Sequence, residues 1–221
     1  MTPFETLNDQ TLQEREALYS SPALAAVAQG QYNIDNYLQF LANAYHHVRH
    51  TVPLMMTCCA NLSDEQLWLT TPLKKYIDEE IGHEQWILND IKAAQGDFKA
   101  VENGQPNFAT ELLVSYVRDY VTHKNAIGFF GMVFVLEGTS TSLATSTAEL
   151  IQNRLHLPDS AFTYLISHGE LDLGHMTFFE SLVNRLKPDE LKHVIHVARR
   201  AFHLYSDVIT SAFKGSINLA A

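Results

Sequence analysis

The chain has 221 residues, enough to bury a sizeable core within one domain spanning 1–221. Apolar residues make up 46% and charged residues 18%, which excludes a disordered chain. Fifteen Lys and Arg against 25 Asp and Glu leave a formal net charge of −10, which argues against nucleic acid or an anionic membrane as partner. Cys58 and Cys59 are the two cysteines, and neighbours that close rarely bridge. No disulfide framework is therefore predicted, and a reducing, cytoplasmic location is expected. The N-terminus shows neither a basic region nor an apolar run, so no signal peptide is expected. The apolar uncharged run 125–136 falls well short of the ~20 residues of a spanning helix, so no membrane partner is expected either. The eleven histidines are the unusual feature.

No segment alternates with period two, and helix punctuation recurs along the chain. Thr2-Pro3 predicts a first helix with Pro at its first position. Ile34, Tyr37, Leu38, Leu41, Tyr45, Val48 and Val52 recur at three- and four-residue spacing, one face of a helix capped by Asn33. Pro53 is expected to kink or break it. Ser63 with Gln66 resembles a capping box. Thr71-Pro72 predicts the start of one continuous helix that Gly96 ends. Asn107 caps a segment reaching Tyr120. An apolar helix runs over 127–155, another follows Pro158-Asp159 to about Leu186, and Lys187-Pro188 precedes the last, which reaches about Phe213. About seven helices with short links predict a single all-α bundle.

Three of these segments carry ionisable groups at matching spacing. His168, Asp172 and His175 sit at i, i+4 and i+7, within about 60° of one another on a helix face. Two imidazoles and a carboxylate side by side suit a transition metal, although a solvated polar face has the same pattern. Glu137 closes the apolar run beginning Phe129-Phe130, where a carboxylate must be protonated, paired or metal-bound. In the third segment Glu79 and His83 are i, i+4, and Glu80 and His83 are i, i+3, on the predicted continuous helix. Glu-x-x-His is the spacing of carboxylate-bridged di-iron bundles. With one of Glu79 and Glu80 counted, these segments together offer three carboxylates and three imidazoles, more than one metal needs, and no thiolate of the kind structural zinc prefers.

Glu79-Glu80-Ile81-Gly82-His83, then Glu137, then His168-x-x-x-Asp172-x-x-His175 together resemble the haem-oxygenase-like di-iron oxidase and oxygenase family, in its iron-containing redox enzyme branch. The resemblance implies a haem-oxygenase-like helical bundle, related to thiaminase-II and pyrroloquinoline-quinone synthase folds. It implies two iron ions, with manganese as the alternative metal, held by Glu79, His83, Glu137, His168, Asp172 and His175, with Glu137 bridging. It also implies an oxidoreductase that activates O₂ to oxidise a small organic substrate of fatty-acid or amino-acid type. A second copy of the chain is a candidate partner. His83 follows Gly82 at once, closer than in better known members, which leaves Glu80 as a rival to Glu79. His46, His47 and His50 are candidates for the pocket mouth or for supporting the ligands, and equally for packing.

Two readings from other classes stand beside this one. The first is a metal-free helical enzyme of thiaminase-II type, although the only cysteines, Cys58 and Cys59, are not in mid-chain. The second is a non-catalytic helical binding protein.

Overall fold

The computed structural model describes residues 1–213, apart from the side chains of residues 170–173. The helices are α1 (Pro3–Gln10), α2 (Leu12–Tyr19), α3 (Pro22–Ala28), α4 (Ile34–Val48), α5 (Thr51–Ala60), α6 (Thr70–Glu80), α7 (His83–Ala93), α8 (Phe98–Asn103), α9 (Phe108–His123), α10 (Phe129–Leu155), α11 (Thr163–Val183) and α12 (Pro188–Ser211). Three 3₁₀ turns complete the list, and no strand occurs among the described residues. The fold is all-α, as expected, but more finely divided than about seven helices.

Local chemistry explains most boundaries. Thr2 caps α1 through a reciprocal box with Glu5, with Pro3 at the first position. Asn33 caps α4, Asn107 caps α9, and Ser63 forms a box with Gln66. Pro53 does not break a helix. It sits in the first turn of α5, where its missing N–H is not needed, and the break falls earlier, at Arg49 and His50. The predicted helix from Thr71 to Gly96 is two helices. Ile81 is extended and Gly82 takes φ +92, a left-handed value that glycine adopts without penalty.

The core gathers on α10, which packs most extensively against α11 and α12. Gly131 lets α10 and α12 touch backbone to backbone. A Cβ there would fall 2.5 Å from Val194 O and 2.6 Å from Ala198 N. On the other side, Phe134 stacks on Phe179 of α11 at 5.9 Å. By length and composition Ala126–Leu155 could cross a membrane, which the short uncharged run did not suggest, but 67% of its most apolar stretch is buried inside the protein. This packing brings Glu137 opposite α11, where His168 and His175 stand.

Candidate metal centre

The helix break at Ile81 and Gly82 shapes one side of the site. Glu80 is the last residue of α6 and His83 the first of α7. The turn brings Glu80 Oε2 to 3.2 Å from His83 Nδ1, with both side chains buried. Because no single helix spans Glu79 to His83, the i, i+4 argument for that pair fails. Glu79 is 37% exposed. Its Oε1 lies 3.6 Å from Lys75 Nζ, while its Oε2 reaches to 3.4 Å from His175 Nε2.

The other side comes from α10 and α11. Glu137 Oε1 lies 3.6 Å from His175 Nδ1, and Glu80 Oε1 lies 3.8 Å from the same nitrogen. The rings of His83 and His168 meet edge to face at 4.9 Å. Two clusters result, each with ligand atoms within 4.8 Å of one another: Glu80, His83 and His168, and Glu80, Glu137 and His175. Glu80 belongs to both clusters, the shared position that the resemblance assigned to Glu137. Glu79 belongs to neither. The expectation at Asp172 falls on a side chain outside the described residues.

The donor set suits a divalent transition metal. Glu80 is buried, and its ion-pair partners among the described residues are imidazoles alone. A buried carboxylate without a fixed cation is costly, and a metal ion satisfies it together with the imidazoles. His83 Nδ1 is buried near Glu80 without forming a hydrogen bond, as a nitrogen kept for a metal would be.

Aromatic rings hold the imidazoles. Trp86 stacks on His83 at 4.0 Å, Tyr164 meets His168 at 4.9 Å, and Tyr76 meets His175 at 5.6 Å. Tyr76 also donates its hydroxyl to the His175 carbonyl at 3.4 Å. Asp90 of α7 fixes the start of α11 by accepting from the N–H groups of Thr163 and Tyr164, at 3.1 and 2.8 Å. Burial outweighs the hydrogen bonds from Tyr164 and Thr163 and raises the Asp90 carboxyl to about 6.

Beside the centre lies a cavity of about 130 Å³. Glu80, Glu137 and His168 contribute to its wall, and Met132, Val133, Leu143, Ala144 and Leu165 make much of the rest. His47 also faces it. Burial, with the nearby His168 second, pushes its imidazole down to about 3, so His47 is neutral. His46 is buried off the cavity wall, and His50 pairs with Arg118 at 3.2 Å. Neither cysteine lines the cavity. The Cys58 thiol donates to the Ala126 carbonyl, and burial keeps it protonated.

Glu80, Trp86 and Asp90 are the residues that sequence reasoning undervalued. Gly82 was the available signal for Glu80, because a glycine between the two motif residues permits a turn. Nothing local marks Asp90, whose partners are more than seventy positions away.

A family model described as iron-containing redox enzyme matches residues 38–206. Among solved structures, a domain of unknown function with a haem-oxygenase-like fold from Shewanella denitrificans OS217 aligns with a TM-score of 0.84 at 19% identity, covering 97% of this chain and 93% of that one. Haem oxygenase-2 from Synechocystis sp. PCC 6803, in complex with haem and NO, aligns at 0.80 and 13% identity, covering 98% and 87%. A TenA homologue from P. horikoshii OT3 aligns at 0.79 and 7% identity, covering 97% and 100%. At these identities the likeness is one of fold. No curated protein matches the chain.

Proposed function

The chain belongs to the iron-containing redox enzyme family, and on that premise we propose a non-haem di-iron oxidase that uses O₂ to oxidise a small organic substrate. Glu80, His83 and His168 hold one ion, and Glu80, Glu137 and His175 hold the other, with Asp172 retained as a ligand on its motif. The observation that carries this reading is the buried Glu80 carboxylate, shared by two carboxylate and imidazole clusters. Once bound, two ferrous ions would supply electrons for O₂ reduction, with manganese as the alternative metal.

The protein's own part is positioning and exclusion of water. Asp90 sets the start of α11, and Tyr76 ties the His175 backbone, so both imidazoles of α11 are presented from a fixed helix. The apolar cavity wall favours a chiefly hydrocarbon substrate body and keeps bulk water from the reacting end. Fatty-acid and amino-acid derivatives both fit that description. The negative charge supports a small-molecule partner over nucleic acid or membrane, and the adjacent unbridged cysteines support a cytoplasmic setting.

Anaerobic Fe(II) titration tests the reading. Binding should saturate near two ions per chain and raise the melting temperature, as about 2.7 kcal/mol of stabilisation at a hundredfold excess over Kd requires. Coincident melting curves with and without iron would overturn it.

A further inference from the structure

Trp86 connects the centre to the protein surface. Its indole lies over His83 with ring centroids 4.0 Å apart and planes 26° apart, and it meets His168 at 6.0 Å. Tyr76 and Tyr164 also touch the centre's imidazoles, but Tyr76 is fully buried and Tyr164 faces the cavity. Of the three rings, only Trp86 is partly exposed. Indole differs from phenyl in that it gives up one electron readily and can pass its Nε1 proton to water.

Resting on the di-iron reading, we propose that Trp86 is a one-electron relay between the iron pair and solvent, used when the oxidised pair meets no substrate. The step balances as follows. The indole loses one electron, which passes through the stacked His83 to the iron pair, and its Nε1 proton goes to water. The oxidised pair is reduced by one electron. A diffusible one-electron reductant of the ascorbate class then returns an electron to the indolyl radical, and water returns the proton. The reductant is consumed and the ligand side chains are spared.

The test compares wild type, Trp86→Phe and Trp68→Phe, because Trp68 and Trp86 are the two tryptophans. Anaerobic Fe(II) should quench indole fluorescence in Trp68→Phe, whose remaining ring lies on His83. Trp68→Phe should load iron as wild type does. On mixing with O₂ without substrate, electron paramagnetic resonance and transient absorption should show an indole radical in wild type and Trp68→Phe but not in Trp86→Phe. Ascorbate should shorten the radical's life. Peptide mass spectrometry should find more oxidised His83 and Tyr164 in Trp86→Phe than in wild type. Iron-loaded wild type that forms no indole radical, or Trp86→Phe that forms the same radical, overturns the relay while leaving the di-iron reading intact. Wild type that loads no iron overturns both. Should Trp86→Phe lose iron, Trp86→Tyr replaces it. A tyrosyl radical in that variant supports the relay, and loaded iron without one overturns it.

Discussion

Glu80 Oε2 lies 3.2 Å from His83 Nδ1 across a helix break, and both side chains are buried. The same carboxylate turns its other oxygen to His175 at 3.8 Å, whereas Glu79 next door is more exposed and shares its charge with Lys75. Glu80→Gln should therefore weaken Fe(II) binding by at least the ~10–100-fold that loss of a supporting residue costs a metal site, and Glu79→Gln by clearly less. Without metal, Glu80→Gln should be as stable as wild type or more so, because a neutral amide is cheaper to bury than a carboxylate whose only partners are imidazoles. Metal titration and chemical denaturation of the two variants check both parts. Equal losses of affinity would remove Glu80 from the shared position.

Gly82 makes the break possible. Its φ is +92, and a Cβ there would meet nothing within 4 Å, so any cost of substitution is one of backbone conformation. Gly82→Ala should destabilise the protein by about 1–2 kcal/mol, the left-handed penalty of a residue with a Cβ. If the strain is relieved by continuing α6 into α7, the direction in which α7 leaves α6 changes, His83 is carried away from His168, and metal affinity falls as well. Urea denaturation with and without Fe(II) distinguishes the two responses.

Asp90 imposes a pH dependence of known sign. Its folded-state pKa is raised to about 6 from the ordinary 3.8. Between these values the folded protein holds the proton that the unfolded chain has released. Stability from this group is thus greatest below pH ~4 and falls as pH rises through 6, by up to ~3 kcal/mol at about 1.4 kcal/mol per unit. Asp90→Asn should flatten that slope while keeping an oxygen for the N-terminus of α11. Asp90→Ala should additionally cost the ~1 kcal/mol of a lost cap. Denaturation midpoints across pH 4 to 7 provide the measurement, and an unchanged slope in Asp90→Asn would refute the assignment.

The cavity can be filled without touching the carboxylates or imidazoles. Ala144 of α10 lines it and is 6% exposed. Ala144→Phe should abolish binding of apolar ligands, read by displacement of a fluorescent hydrocarbon probe, and leave Fe(II) loading near wild type. Overpacking should hold the stability loss to about 1–3 kcal/mol. Loss of iron together with the ligand would mean that the cavity and centre are not separable.

Much of this protein is written locally. Thr2, Asn33, Ser63 with Gln66, and Asn107 each cap the helix turn that their neighbours begin, because a side-chain oxygen needs only an N–H two or three residues away. His168 and His175 share a helix face for the same reason, since helical phase is fixed within two turns. The choice between Glu79 and Glu80 could not be made that way. Phase carries information only while the helix continues, and the extended Ile81 with the left-handed Gly82 resets it. The start of α11 is set from across the bundle by Asp90, and His47 is brought beside His168 by packing alone. The sequence by itself determined which residue types were available and which helices carried them. Tertiary packing decided which carboxylate both clusters share, because convergence of α6, α7, α10 and α11 depends on a helix break and on contacts between residues far apart in the chain.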